Sequence, residues 1–133
     1  MNIKLDSETL SSMSVFSNTT GVMPKDCMQL DDKFLFVVNQ GQAGMSIGKN
    51  GVNVKMLEKM FSKEVLIVEY ADDPVRLLEN IIRPVKVLSG YVTETTNSKK
   101  IQASIDGKLA LSRLRIAKTL MQRYFNITDI NIK

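Results

Sequence analysis

The fold is decided by the stretch Ile47-Gly48-Lys49-Asn50-Gly51-Val52-Asn53-Val54. Two glycines enclose a basic and a small polar residue immediately before a segment with helical periodicity. Glycine permits tight turns and a close approach of the main chain to a ligand, because it has no side chain in the way. The first N–H groups of the following helix have no intrahelical partner and attract anions. The stretch therefore predicts a loop over residues 48–51 that holds an anion, with Lys49 adding positive charge.

The segments around this loop predict an α+β unit. The expected elements are a helix, two strands, a short helical turn, a helix and a strand, over residues 6–18, 25–30, 33–39, 40–47, 52–61 and 64–70, respectively. Asp6 or Ser7 is the expected cap of the first helix, and Asp31-Asp32 the turn between the strands. Residues 34–38 of the second strand are uniformly apolar, which predicts a central position in the sheet.

The second half of the chain repeats this order loosely. We expect a helix over residues 74–82, strands over 85–92 and 99–105 joined by a turn, a helix ending near 125, and a strand over 129–132. Asp73 before Pro74 is a typical helix opening. This internal duplication predicts two domains, over residues 1–72 and 73–133.

The second half lacks the glycine loop. Gly107 is the one glycine between the last paired strands and the helix. On a helical wheel, Arg113 falls within the apolar side of that helix. Either the helix breaks near residues 112–113, or Arg113 extends to solvent from its first turn.

Composition excludes several classes of function. The 133 residues contain no histidine and a single cysteine, Cys27, so zinc sites and histidine-based catalysis are not available. The spacing around Gly44, Gly48 and Lys49 also fails the nucleotide-binding P-loop pattern. A carboxylate-based enzyme is the remaining alternative, but Asp72-Asp73 before Pro74 is explained more simply as a turn and a helix cap. We therefore expect a protein that is not an enzyme and has no metal or cofactor. The lone cysteine, the lack of a signal-peptide core and the short apolar runs predict a cytoplasmic protein without membrane association.

Positive charge is concentrated towards the end of the chain. The net charge is +4, yet residues 1–66 are balanced, and from Lys99 onward eight basic residues face two acidic ones. This excess predicts a polyanionic partner, with a merely solvated basic face as the alternative. Candidate auxiliary contacts are Lys108, Arg113, Arg115 and Lys118.

Several of these segments resemble the KH domains of archaeal NusA-like proteins. In the first half they are Lys25-Asp-Cys27, Gly41-Gln-Ala-Gly44, residues 47–53 and Val68-Glu-Tyr70; in the second half it is Arg123-Tyr-Phe-Asn-Ile127. The resemblance implies two tandem prokaryotic-type (type II) KH domains, each a small three-stranded sheet covered by helices. It also implies binding of single-stranded RNA and a role in transcription elongation, termination or antitermination. RNA polymerase or other transcription components are the candidate protein partners, and we expect a monomer.

The resemblance also assigns site residues. Gly48 and Gly51 match the glycines of the family loop, Lys49 and Asn50 match its tip, and Asn53 and Lys55 match helix positions that face the bound backbone. A KH groove holds about four nucleotides.

We expect the groove between this loop and the strand containing residues 65–68, with Ile47, Val54 and Ile67 as an apolar floor. Plain core packing is the alternative for these three side chains.

Two other functions remain open at this stage. One is a KH module in ribosomal RNA processing or ribosome assembly, and the other is a scaffold that has lost RNA binding.

Overall fold

The computed structural model describes residues 7–30 and 32–133, which contain five α-helices and six strands. These residues divide into two compact units, one ending at Tyr70 and the other beginning at Ala71. Each unit has its own three-stranded sheet and its own helices. The predicted α+β class is therefore confirmed.

The first unit contains, in chain order, α1 (Ser7–Thr20), β1 (Asp26–Leu30), β2 (Lys33–Val38), α2 (Ala43–Ile47), α3 (Val52–Phe61) and β3 (Glu64–Glu69). Its sheet has the order β1-β2-β3, with β1 antiparallel and β3 parallel to β2. The central position of β2 is confirmed, and its residues from Phe34 onward are all buried. The bounds predicted for α3 are also correct, because glycine precedes it and its apolar periodicity is regular.

The other elements of the first unit differ from the prediction by at most two residues at each end, except that α2 begins three residues later than residue 40. Helix α1 continues to Thr20, where the threonine hydroxyl donates a 2.8 Å hydrogen bond to the carbonyl of Phe16 and accepts from the N–H of Val22 at 3.0 Å. The polar side chain thus closes the helix. The expected cap Asp6 and the turn residue Asp31 lie outside the described residues.

Aromatic side chains form the centre of the first unit's core. The rings of Phe16 and Phe36 stack at 4.4 Å between centroids, and those of Phe34 and Phe61 at 4.6 Å. These contacts join α1 and α3 to the central strand. Stacked aromatic pairs contribute about 0.5–1.5 kcal/mol beyond their buried area. The sheet that supports the 48–51 loop is therefore firmly held from its helical side.

The second unit contains α4 (Pro74–Ile82), β4 (Lys86–Glu94), β5 (Lys99–Asp106), α5 (Leu111–Phe125) and β6 (Asp129–Ile132). Its sheet has the order β4-β5-β6, with an antiparallel and then a parallel pairing as in the first unit. As predicted, Asp73 caps α4, and its carboxylate accepts a 3.3 Å hydrogen bond from the N–H of Val75.

The second unit has no counterpart of α2. Residues 107–110 connect β5 directly to α5, which begins at Leu111. Strand β4 continues two residues beyond its predicted end to Glu94, because the turn that follows is closed by a 2.7 Å bond from Thr95 N–H to the carbonyl of Ser98. Strand β5 ends one residue later than predicted, at Asp106, which pairs with Lys86. A bulge between Val87 and Ser89 shifts the register of the β4–β5 pair.

Candidate nucleic-acid interface

Helix α2 is short and is anchored at its first residue. The N–H of Ala43 donates a 3.3 Å hydrogen bond to the Glu69 carboxylate at the end of β3, and the buried Ser46 hydroxyl donates to the carbonyl of Gln42 at 2.8 Å. The helix then ends at Gly48, whose N–H donates to the carbonyl of Gly44 at 3.0 Å. One turn of helix therefore leads directly from the sheet into the loop.

The 48–51 loop reverses the chain through three residues with positive φ. Gly48 has φ 78° and ψ 167°, Asn50 has φ 57° and ψ 25°, and Gly51 has φ 73° and ψ 20°. The Gly48 conformation is essentially restricted to glycine. Asparagine tolerates the left-handed conformation better than most residues, which suits position 50. A hydrogen bond from the N–H of Gly51 to the carbonyl of Gly48 closes the turn at 3.1 Å.

Asn53 braces the loop from the first turn of α3. Its amide nitrogen donates a 3.1 Å hydrogen bond to the carbonyl of Met45 in α2. A Cβ atom at Gly48 would approach the Asn53 side chain to 2.9 Å. The brace thus fits only against glycine. The resemblance placed Asn53 against the bound backbone, whereas here its amide group also links the two helices beside the loop.

The tip of the loop, formed by Lys49 and Asn50, is exposed and carries hydrogen-bond donors. Lys49 and Asn50 are exposed, and their backbone N–H groups form no hydrogen bond within residues 7–30 and 32–133. Lys49 has no ion pair in that part of the chain. Two unpaired N–H groups and a cation beside a helix N-terminus form a site with the chemistry needed for a phosphate group.

The apolar residues predicted as a floor are in different environments. Ile47 is 39% exposed, whereas Val54 and Ile67 are half-buried and pack against the core of the first unit. Core packing thus accounts for much of Val54 and Ile67. Ile47 remains accessible next to the loop, and Lys55 is exposed on α3.

The basic residues predicted in the second unit also separate into two groups. Lys108, Arg115 and Lys118 are exposed. Arg113 is half-buried in the first turn of α5, and its guanidinium donates a 2.8 Å hydrogen bond to the carbonyl of Ile81 at the end of α4. The helix therefore does not bury an unpaired arginine, and neither sequence alternative is quite right. The helix begins at Leu111 and is unbroken at Arg113, and the Arg113 side chain bonds to α4 instead of extending to solvent.

The other chemically notable side chain, Cys27, lies in the core of the first unit. Burial, together with the neighbouring Asp26 carboxylate, raises the pKa of this thiol to about 12. The neutral thiol is a poor nucleophile. Within residues 7–30 and 32–133, no group of three or more carboxylate or thiol side chains is placed to hold a metal ion, and no helix is long and apolar enough to cross a membrane.

The fold and the loop together define a class of protein. Residues 13–87 match the model of the KH domain family, a range that includes the loop and continues into α4 and the start of β4. The crystal structure of APE1850 is similar over 97% of this chain and 100% of that one, with a TM-score of 0.83 and 25% sequence identity.

Two curated relatives carry the same name, probable transcription termination protein NusA. The one from Halobacterium salinarum is 31% identical, and the alignment covers 99% of both chains. The one from Methanococcus vannielii is 32% identical over 82% of this chain, which spans 63% of that relative's length. The chain belongs to the archaeal NusA-like family of KH-domain proteins. The family predicted from the sequence, with its two KH-type α+β units, is confirmed.

Proposed function

We propose that this protein is a non-catalytic factor that binds single-stranded RNA through the 48–51 loop and acts in transcription termination or elongation. The observation that carries the proposal is the geometry of this loop. Gly48 allows the chain to turn, Asn53 fixes the turn, and the exposed Lys49 and Asn50 have backbone N–H groups without a hydrogen-bond partner among the described residues. The names of the relatives support the link to transcription termination.

The role of each site residue follows from its position. Phosphates accept hydrogen bonds from the loop N–H groups and are attracted by the ammonium group of Lys49. Ile47 offers an exposed aliphatic surface to a base, and Lys55 adds charge along α3. Asn53 acts as a positioning residue, because its amide nitrogen bonds Met45. In the second unit, Lys108, Arg115 and Lys118 supply additional positive charge, while Arg113 is bonded to α4.

The test is the double substitution Lys49→Asp with Asn50→Asp, assayed by fluorescence anisotropy with a short single-stranded RNA. Two carboxylates at the tip repel the phosphate, so we expect a loss of affinity of at least about ten-fold, as for 1.4 kcal/mol. The matched control is Lys59→Asp with Asn97→Asp, which changes the same residue types at exposed positions that are not part of the loop. Equal affinities for the two double variants would contradict the proposal, and equal binding by the loop variant and the unmodified chain would support a scaffold that does not use this loop.

Salt dependence gives a second, independent readout. Each phosphate neutralised on a single strand contributes about 0.7 to the slope of log affinity against log salt concentration. Lys49→Gln should therefore reduce the slope by about 0.7, while Lys59→Gln should leave it unchanged. An unchanged slope in the Lys49 variant would show that this side chain contacts no phosphate.

The identity of the RNA that is bound in cells distinguishes a role in transcription from a role in ribosome assembly. Crosslinking in cells followed by sequencing should recover nascent transcripts enriched near their 3′ ends. Recovery of ribosomal RNA precursors instead would favour a role in ribosome assembly with the same loop chemistry.

A further inference from the structure

We propose that the open face of the second unit's sheet is a separate binding surface for the bases of single-stranded RNA. The face is formed by side chains from all three strands, which together we call the sheet platform: Ser89 and Tyr91 of β4, Gln102 and Ser104 of β5, Asn131 of β6, and Lys133. This surface shares no residue with the 48–51 loop.

The strand register places these side chains on the same side of the sheet. Tyr91 is opposite Gln102, which is opposite Asn131, and Ser89 is opposite Ser104. A Cβ atom at Gly90 would approach the Val75 side chain of α4 to 3.0 Å, so position 90 faces the helices. Because side chains alternate along a strand, Ser89 and Tyr91 face away from the helices.

Tyr91 has the properties of a stacking residue. Its side chain is 57% exposed, and its hydroxyl donates a 2.8 Å hydrogen bond to the Gln102 carboxamide oxygen across the strands. The bond holds the phenol group in place while the ring remains accessible. A fixed, exposed aromatic ring on a sheet is the means by which some single-strand-binding proteins hold bases.

The neighbours of Tyr91 provide hydrogen-bonding groups suited to base edges. The Asn131 amide forms no hydrogen bond within the described residues, and the amide nitrogen of Gln102 is left to donate when its oxygen accepts from Tyr91. A carboxamide carries both donor and acceptor groups, as does the edge of each base.

Charge and shape favour RNA over a protein partner. Lys133 lines the platform, and Lys100 lies two residues before Gln102 on the same face of β5. Neither lysine has an ion pair in the described part of the chain, although Asp129 is opposite Lys100. Tyr91 is the single large apolar side chain of the platform, whereas the centre of a protein interface is usually apolar. The depression has a volume of about 120 Å³, below the 300–1,000 Å³ of small-molecule pockets. An extended polyanion fits this surface better than an enclosed ligand does.

The inference takes its ligand class from the proposed function and assigns it to a second surface. Of the eight basic residues from Lys99 onward, Lys100 and Lys133 lie at this face, whereas five others lie in the 107–110 link or in α5.

The experiment measures binding of the full chain to a single-stranded RNA of about 16 nucleotides, the upper end of site sizes for open single-strand-binding domains. Tyr91→Ala should weaken binding by about five-fold or more, since stacking on one aromatic residue has at least that effect. Tyr91→Phe keeps the ring and should stay within about two-fold of the unmodified chain, well below the stacking loss. Leu111→Ala, at an equally exposed apolar residue of α5, should have no effect.

Photocrosslinking with 5-iodouridine RNA provides the second measurement, and the modified peptide should contain Tyr91. Equal affinity of Tyr91→Ala and the unmodified chain would overturn the inference, as would equal losses in Tyr91→Ala and Tyr91→Phe. If the Lys49 and Asn50 double variant loses RNA binding while Tyr91→Ala does not, RNA binding by the platform is contradicted and RNA binding by the 48–51 loop is supported. If the unmodified chain binds no single-stranded RNA, the proposed function itself fails.

Discussion

The two glycines of the 48–51 loop should differ in their response to the same substitution. Gly48 has a φ/ψ combination that other residues adopt only at a cost of about 1–3 kcal/mol. A Cβ atom there would also displace the Asn53 side chain and weaken its hydrogen bond to the Met45 carbonyl. Such a hydrogen bond contributes about 1 kcal/mol. Gly48→Ala should therefore lower the free energy of unfolding by about 2–4 kcal/mol.

Gly51→Ala is the matched control. Gly51 has the ordinary left-handed conformation, and no atom lies within 4 Å of a Cβ placed there. The expected cost is about 1–2 kcal/mol from the backbone alone. Both alanines reduce the entropy of the unfolded chain equally, so this effect cancels in the comparison.

The measurement is urea-induced unfolding of the full chain followed by circular dichroism. Gly48→Ala should be less stable than Gly51→Ala by about 1–2 kcal/mol, the contribution of the lost brace and the rarer conformation. Gly51→Asn should be milder than Gly51→Ala, because asparagine tolerates the left-handed region. Equal destabilisation by the two alanines would refute the argument that Asn53 and Gly48 form one closely fitted unit.

Three further outcomes can be measured on the same protein. Asp73→Ala should lower the free energy of unfolding by about 1 kcal/mol through loss of the α4 cap, whereas Asp72→Ala should change it by less than about 0.5 kcal/mol; a reversed order would contradict the cap. Arg113→Met should lower the free energy of unfolding by about 1–3 kcal/mol, because the carbonyl of Ile81 loses its hydrogen-bond donor. The same variant should leave the salt dependence of RNA binding unchanged, and a reduced slope would instead indicate that Arg113 contacts phosphate. The raised pKa of Cys27 should make the folded chain resist alkylation at neutral pH, and rapid labelling of the folded chain at pH 8 would contradict this expectation. The contribution of the neutral thiol to stability should be complete below pH 9 and be lost as the pH rises towards about 12.

The sequence allowed the elements around the loop to be predicted well. The helix Val52–Phe61 was correct at both ends, since glycine precedes it and its apolar residues recur with helical spacing. The central strand was identified because residues 34–38 are apolar without alternation, as expected for a strand covered on both faces. The family followed from the glycine loop and its flanking residues.

Features that depend on distant partners could not be predicted. The wheel placed Arg113 on an apolar face, but the acceptor that makes this position acceptable is the Ile81 carbonyl, 32 residues earlier in the chain. The role of Asn53 as a brace required the position of the Met45 carbonyl. The bulge between Val87 and Ser89, which shifts the pairing of Lys86 and Val87 with β5, was indicated by no local pattern either.

The parallel pairing in each sheet has a consequence for how such a chain can be altered. A parallel neighbour can be reached only through a crossover connection, here residues 39–63 in the first unit and 107–128 in the second. The first crossover contains α2, the glycine loop and α3, while the second contains a short link and α5, yet both deliver the last strand to the same place beside the middle one. The same strand order is thus reached with the glycine loop in the crossover and without it, so the order of the strands does not require the loop.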